Sequence, residues 1–160
     1  MTYTAAVKDA QAVRYTAGVK NTPKEKQSMT QKQILIVDDD PDQRLTIRLP
    51  LEAAGYQIHE ATNFDEGLVA ARELKPDLII LDVMMDSATA GFQLALSMHS
   101  PDPESEFKEF KDIPIIMLTA IHSTTSLRFA PDEYYLPVED FLEKPVNPEI
   151  LLAAVRKHLK

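Results

Sequence analysis

"PDLIILDVMM", residues 76–85, sets four consecutive apolar side chains, Leu78 to Leu81, directly before an aspartate, Asp82. Strict alternation would mark a half-solvated strand; an unbroken apolar run of this length reads as a strand buried on both faces. Asp82 then stands at the end of a buried strand, as a solvated terminus or as a reactive group.

Working outward, the same kind of run recurs. "ILIV" (34–37) is a β-branched run, "YQIHEA" (56–61) a shorter strand, "IPIIMLTA" (113–120) a buried one, and "LPVEDFLEK" (136–144) holds a fifth. Helical patterns separate them. Asp40 is the expected N-cap of a helix with Pro41 at its first position, stopping at Gly55, and Pro50 is expected to kink or end it. Asn63 caps "FDEGLVAARELK", where Phe64, Leu68, Ala71 and Leu74 recur at helical spacing. "GFQLALSMHS" (91–100) is a third helix, residues 123–136 a fourth, and Asn147 with Pro148 opens a last one, "PEILLAAVRKHL". "PDPESEFKEFKD" (101–112) reads as a charged loop. Strands buried on both faces and alternating with helices imply an α/β fold: a doubly wound, five-stranded parallel sheet of the flavodoxin-like (βα)5 type. Its ligand site is expected at the carboxyl ends of the strands, where strand order reverses.

Composition limits the chemistry. The 160 residues include no cysteine, which excludes disulfides and thiolate chemistry. No apolar stretch is long enough to cross a bilayer, so membrane insertion is not expected, and the N-terminus lacks the apolar core of a secretory signal. The net charge of −8 is uneven. Residues 1–33 carry six Lys/Arg against Asp9 and Glu25, a net +4, which leaves −12 on the other 127. An acidic body is a poor binder of phosphate backbones, so direct nucleic-acid recognition is not expected. Residues 1–32 form an N-terminal extension with a near-repeat, "YTAAVK" and "YTAGVK". It reads as a solvated tail or as a short element that docks on a partner. Residues 33–160 form the domain.

Read in order, the strand ends carry Asp38, Asp39 and Asp40, then Asp82, then Thr119 and Ala120, then Lys144 before Pro145. Two carboxylates about 4 Å apart repel by roughly 4 kcal/mol at an effective dielectric near 20. Several together raise one another's pKa unless a cation neutralises them. An oxygen-rich site without Cys or His suits a hard dication such as Mg2+. A carboxylate flanked by a metal, an ammonium and a hydroxyl is arranged to accept a phosphoryl group.

"ILIVDDDPD", "LIILDVMM", "IIMLTA" and "DFLEKPV", in that order, resemble the successive signatures of the response-regulator receiver domain of two-component signalling, over residues 33–160. The resemblance implies the strand order 2-1-3-4-5 and makes Asp82 the phosphoacceptor. It implies Mg2+ held by Asp38, Asp39 and Asp82 with the main-chain carbonyl of Met84. Thr119, Ala120 and Lys144 would contact the phosphoryl group, Phe141 would be the switch aromatic, and the Lys144–Pro145 bond would be cis. The implied partners are a sensor histidine kinase or a phosphotransfer protein, and a downstream protein target. A homodimer is left open, and a cytoplasmic setting is expected. Output within the same polypeptide is not expected; a protein contact over residues 123–160 would carry it, as in a stand-alone, chemotaxis-regulator-like receiver.

The pattern departs from the family in three places. "MMDSATAGF" lacks the usual proline and carries Asp86 there, the 101–112 loop is long, and so is the span from Thr119 to Lys144. Met84 and Met85 read as packing residues. In the family the side chains at Met84 and Ile121 gate water, so two apolar groups there imply slow self-dephosphorylation; a phosphoryl lifetime of seconds would contradict this. The four histidines show no metal spacing, and His158 suits the end of a helix dipole. Two other readings are a pseudo-receiver that binds partners without being phosphorylated, and a phosphatase with an aspartyl-phosphate intermediate. The phosphatase reading needs a second Asp two residues past the nucleophile, where this chain has Met84.

Overall fold

The computed structural model describes residues 31–85, 90–120 and 138–159. Five parallel strands form one sheet: β1 (Gln33–Val37), β2 (Gln57–Ala61), β3 (Leu78–Asp82), β4 (Ile115–Thr119) and β5 (Asp140–Glu143). Their order is β2-β1-β3-β4-β5, the doubly wound arrangement expected. From β1 the chain passes to β2 on one side and then back across to β3 on the other. A crevice therefore opens between the carboxyl ends of β1 and β3.

Alternation along the strands builds two apolar layers. Leu35, Val37, Ile79, Leu81, Ile115 and Met117 pack on one face with residues of α2 (Phe64–Leu74) and α3 (Ala90–Met98). Ile34, Ile36, Leu78, Ile80, Ile116 and Leu118 pack on the other with α1 (Pro41–Ala53) and α4 (Pro148–His158). β1, β3 and β4 are nearly wholly buried because both faces are covered. β2 lies at the edge and buries only Ala61 fully, which explains the polar content of its sequence.

The helix starts follow the capping residues. Asp40 accepts from the backbone N–H of Asp42 and Gln43, with Pro41 opening α1. Asn63 accepts from Glu66 N–H, and the Glu66 carboxylate reaches back to the N–H and hydroxyl of Thr62. Asn147 caps α4. Pro50 does not end α1, which runs on to Ala53; lacking an N–H, it cannot donate to the Thr46 carbonyl one turn back. The stretch 101–112 is more than a solvated loop. It includes a single 3-10 turn, Lys108–Phe110, and buries Phe110 against the α3 side of the core with Phe107 beside it. Met84 is a correction too: Met85 packs in the core, whereas Met84 is 48% exposed. The expected helix over 123–136, the near-repeats, Asp86 and Ile121 lie outside the described residues. Among the described residues, no helix is long and apolar enough to cross a membrane.

At the amino ends of the strands two carboxylates tie the sheet to its surroundings. Asp77 accepts from Lys32 Nζ at 2.8 Å and from Gln33 N–H at 2.8 Å. Asp140 lies 3.2 Å from His158 Nε2 and 3.4 Å from Lys157 Nζ. Thus His158 does sit in the last turn of α4, but with a specific acidic neighbour. Burial pushes both carboxyls up, yet their hydrogen bonds outweigh it and hold both below the usual 3.8. A depressed folded-state pKa contributes stability above the unfolded value, lost as pH falls through the folded one. Asp77→Asn and Asp140→Asn should each flatten the acid limb of the urea-unfolding free energy between pH 5 and pH 2. The effect should stay below about 1 kcal/mol apiece, since both pairs are partly solvated.

Candidate functional site

At the crevice, one carboxylate oxygen from each of Asp38, Asp39 and Asp82 falls within 4.8 Å of the others. Asp38 follows β1 and is fully buried, Asp82 ends β3 and is 5% exposed, and Asp39 faces solvent. Asp40 turns away to cap α1, so it is not one of the converging carboxylates. From the far side of β3, Lys144 reaches between the two buried acids. Its Nζ lies 2.9 Å from Asp38 Oδ2 and 3.1 Å from Asp82 Oδ2. Each carboxylate is steadied on its other oxygen by a backbone donor: Asp40 N–H to Asp38 Oδ1 at 2.9 Å, and Met84 N–H to Asp82 Oδ1 at 3.1 Å.

The electrostatics of this group are unbalanced. Among the described residues, Lys144 is the ammonium in ion-pair contact with the cluster, one against three carboxylates. Burial pushes the Asp38 carboxyl above its usual range, and the Asp82 charge adds to this; the bonds from Lys144 and Asp40 N–H pull the other way without prevailing. Burial disfavours the Lys144 ammonium, but its bond to Asp38 and the charges of both acids more than compensate and raise its pKa. A buried carboxyl with raised proton affinity beside two others is what a hard dication relieves, and the all-oxygen donor set fits Mg2+.

The remaining expected residues fall into two groups. Thr119 ends β4, 2% exposed, next to β3 in a ladder that pairs Asp82 with Leu118. Its carbonyl accepts from Lys144 N–H at 2.8 Å, which ties the ends of β4 and β5 together. Ala120 follows, exposed, and the Lys144–Pro145 peptide is cis. Phe141 is set apart: on β5 opposite Met117, it packs partly buried against the α2/α3 side of the core.

Two supports of the site were not singled out by sequence patterns. Gly91, in the first turn of α3, sits where a Cβ would press on the main-chain oxygen of Asp82 and lie 2.8 Å from Val83 Cα. Arg44 of α1 donates from Nη1 to the main-chain carbonyl of Asp38 at 2.7 Å. The available hints were a lone glycine at a helix start and an arginine four residues after the cap Asp40.

The family model for the response regulator receiver domain matches residues 34–156, most of the chain and every element that carries the site. This chain belongs to that family. The general function of these receiver domains is that of a phosphorylation switch in two-component signalling, and they generally bind Mg2+. The receiver is 34% identical over 127 residues to the DNA-binding dual master transcriptional regulator RpaA of Synechocystis, covering 79% of this chain and 48% of that protein. It is 31% identical over 122 residues to the protein PilH of Pseudomonas aeruginosa, covering 76% of this chain and 93% of PilH. The receiver thus spans about half the length of the transcriptional regulator and nearly all of PilH. Among solved structures, the chemotaxis response regulator CheY4 of Vibrio cholerae superposes with a TM-score of 0.65 at 28% identity, over 81% of this chain and all of CheY4.

Proposed function

We propose that this receiver is a switch that takes a phosphoryl group on Asp82 from the phosphohistidine of a sensor histidine kinase or a phosphotransfer protein. The phosphorylated form then signals in the cytoplasm through contacts with a downstream protein. The observation that carries this reading is the Lys144 ammonium held between Asp38 and Asp82, beside a three-carboxylate cluster at the strand-order reversal.

In this reading an Asp82 carboxylate oxygen attacks phosphorus as the bond from phosphorus to the imidazole nitrogen breaks. The electron pair of that bond leaves with the imidazole. Asp38, Asp39, Asp82 and the main-chain carbonyl of Met84 would hold Mg2+. When bound, the ion neutralises charge on the carboxylates and on the transferring oxygens. Burial of Asp82 at the end of a strand covered on both faces gives the nucleophile a fixed direction, and transfer of this kind depends mostly on positioning. Lys144 pairs with Asp82 before transfer and is placed to follow the charge onto a phosphoryl oxygen after it. Thr119 supplies a hydroxyl to another such oxygen, and the exposed Ala120 leaves room beside it. Because Lys144 N–H bonds the Thr119 carbonyl, a shift of one is felt by the other. Phe141, three residues before Lys144 on β5, is the side chain through which that shift would reach the outer surface.

Incubation with Mg2+ and a small acyl phosphate, followed by intact-mass measurement, tests the proposal. The expected result is one added phosphoryl group on the wild type, and none on Asp82→Asn or in the presence of a chelator. An equal adduct on Asp82→Asn would exclude Asp82 as the acceptor. Absence of any adduct would favour a binding module that kept the fold without the switch.

A further inference from the structure

We infer that Arg44 is a positioning residue for the Mg2+-binding carboxylates, its guanidinium holding the Asp38–Asp39 turn through the Asp38 main-chain carbonyl. The inference rests on the reading of Asp38 and Asp39 as metal ligands. The turn is a single short link between the end of β1 and the start of α1, and its conformation decides where both carboxylates point. On the β1 side it is tied by Asp38 N–H to the Ala61 carbonyl at 3.2 Å. On the α1 side Asp40 N–H returns to Asp38 Oδ1 at 2.9 Å. The Asp40 side chain is committed to capping, so it cannot brace the acids. Arg44 closes the frame: its backbone N–H bonds the Asp40 carbonyl at 3.0 Å, and its Nη1 bonds the Asp38 carbonyl at 2.7 Å. One residue thus grips both ends of the turn, from the first turns of a helix that is itself anchored in the core by Ile47 and Leu51.

The guanidinium is also confined. Its Nε is buried and makes no hydrogen bond, so this side of the fork is shut off from water while Nη1 faces the carbonyl. Hydrogen bonds from Thr62 hold the Glu66 carboxyl, at the start of α2, below its usual range, and the Arg44 charge adds to that. A shorter, point-charged lysine would keep the charge but lose the planar fork.

A purely electrostatic role and a positioning role predict opposite signs. If Arg44 acted only as a positive charge near three carboxylates, removing it would tighten binding of a dication. If it holds the turn, both Arg44→Gln and Arg44→Lys should weaken binding, by about tenfold where the residue orienting a metal ligand is lost. Mg2+ titration calorimetry on the full chain reads this directly. Hydrogen exchange without metal gives a second readout: the Asp40 amide should exchange faster in both variants while the amides of Ile47 and Leu51 keep their protection. Equal or tighter Mg2+ binding by Arg44→Gln would overturn the inference. So would Arg44→Lys matching the wild type in affinity and in Asp40 protection, and this variant keeps the charge should Arg44→Gln fold poorly. A wild type that takes up no Mg2+ would overturn the metal assignment and the inference together. Normal wild-type binding with unaltered variants would overturn the inference alone.

Discussion

Lys144→Met should lower the unfolding free energy at pH 7 by about 3 kcal/mol, the scale for removing one partner from a buried charge pair. The side chains of Lys144, Asp38 and Asp82 are only 15%, 0% and 7% exposed, so water cannot replace the lost ammonium. Most of the loss is the cost of leaving two facing carboxylates uncompensated, rather than the worth of the two contacts themselves. That origin makes the loss conditional. Asp38 already binds its proton above the usual carboxylate range, so the deficit should shrink as pH falls and Asp38 is neutralised. Mg2+ should narrow it as well, by supplying the missing positive charge. Lys144 has the opposite signature in the wild type. Its raised pKa means that its contribution is complete below the unfolded value and is lost only as pH rises through the folded one. Urea titrations at pH 7 and pH 5, each with and without Mg2+, check this. A deficit that is the same in all four conditions would show that Lys144 acts by packing alone.

Gly91→Ala should cost about 2–3 kcal/mol, at the upper end of overpacking penalties, and should slow phosphoryl acceptance. The added methyl would meet the main-chain oxygen of Asp82 and come within 2.8–2.9 Å of Val83 backbone atoms. Backbone at the end of a central strand cannot move aside without moving the Asp82 carboxylate with it. Gly67→Ala makes the useful contrast. There the new methyl meets the two Val37 methyls at 3.0 and 3.2 Å. Those are side-chain atoms, so α2 and Val37 can share a small shift, and the expected penalty is about 1 kcal/mol or less. Thermal melts give the stabilities, and the rate of the mass increase with an acyl phosphate gives the chemistry. A Gly91→Ala variant as stable and as fast as Gly67→Ala would contradict the close approach of α3 to Asp82.

The fold could be read from sequence because its central strands obey a simple rule. Leu78–Leu81 and Ile34–Val37 are apolar without interruption because helices cover both faces of β3 and β1. The same rule weakens at the sheet edge: β2 keeps polar residues since only part of it is buried. The helix starts were equally plain, because Asp40, Asn63 and Asn147 each bond the backbone groups they precede. The charged stretch 101–112 concealed Phe110, since a buried aromatic within a run of Glu and Lys carries no periodic signal. Asp38, Asp82 and Lys144 could be placed together because each follows or ends a strand, and parallel strands bring those ends to one edge. Among the three leading aspartates, Asp40 could be set apart as the expected N-cap before Pro41, while the family resemblance assigned Asp38 and Asp39 to the metal. The geometry agrees on Asp40, whose side chain accepts from the N–H groups of Asp42 and Gln43. Gly91 and Arg44 act through backbone atoms of their neighbours, a kind of contact that residue type alone does not encode.

The most direct test of the central claim is to locate the phosphoryl group. After reaction with Mg2+ and an acyl phosphate, borohydride reduction converts an aspartyl phosphate into a stable, mass-shifted residue that peptide mass spectrometry can place. One modified position is expected, Asp82, in the peptide containing "LIILDVMM". Modification at Asp38 or Asp39 instead, or no modification at any aspartate, would contradict it.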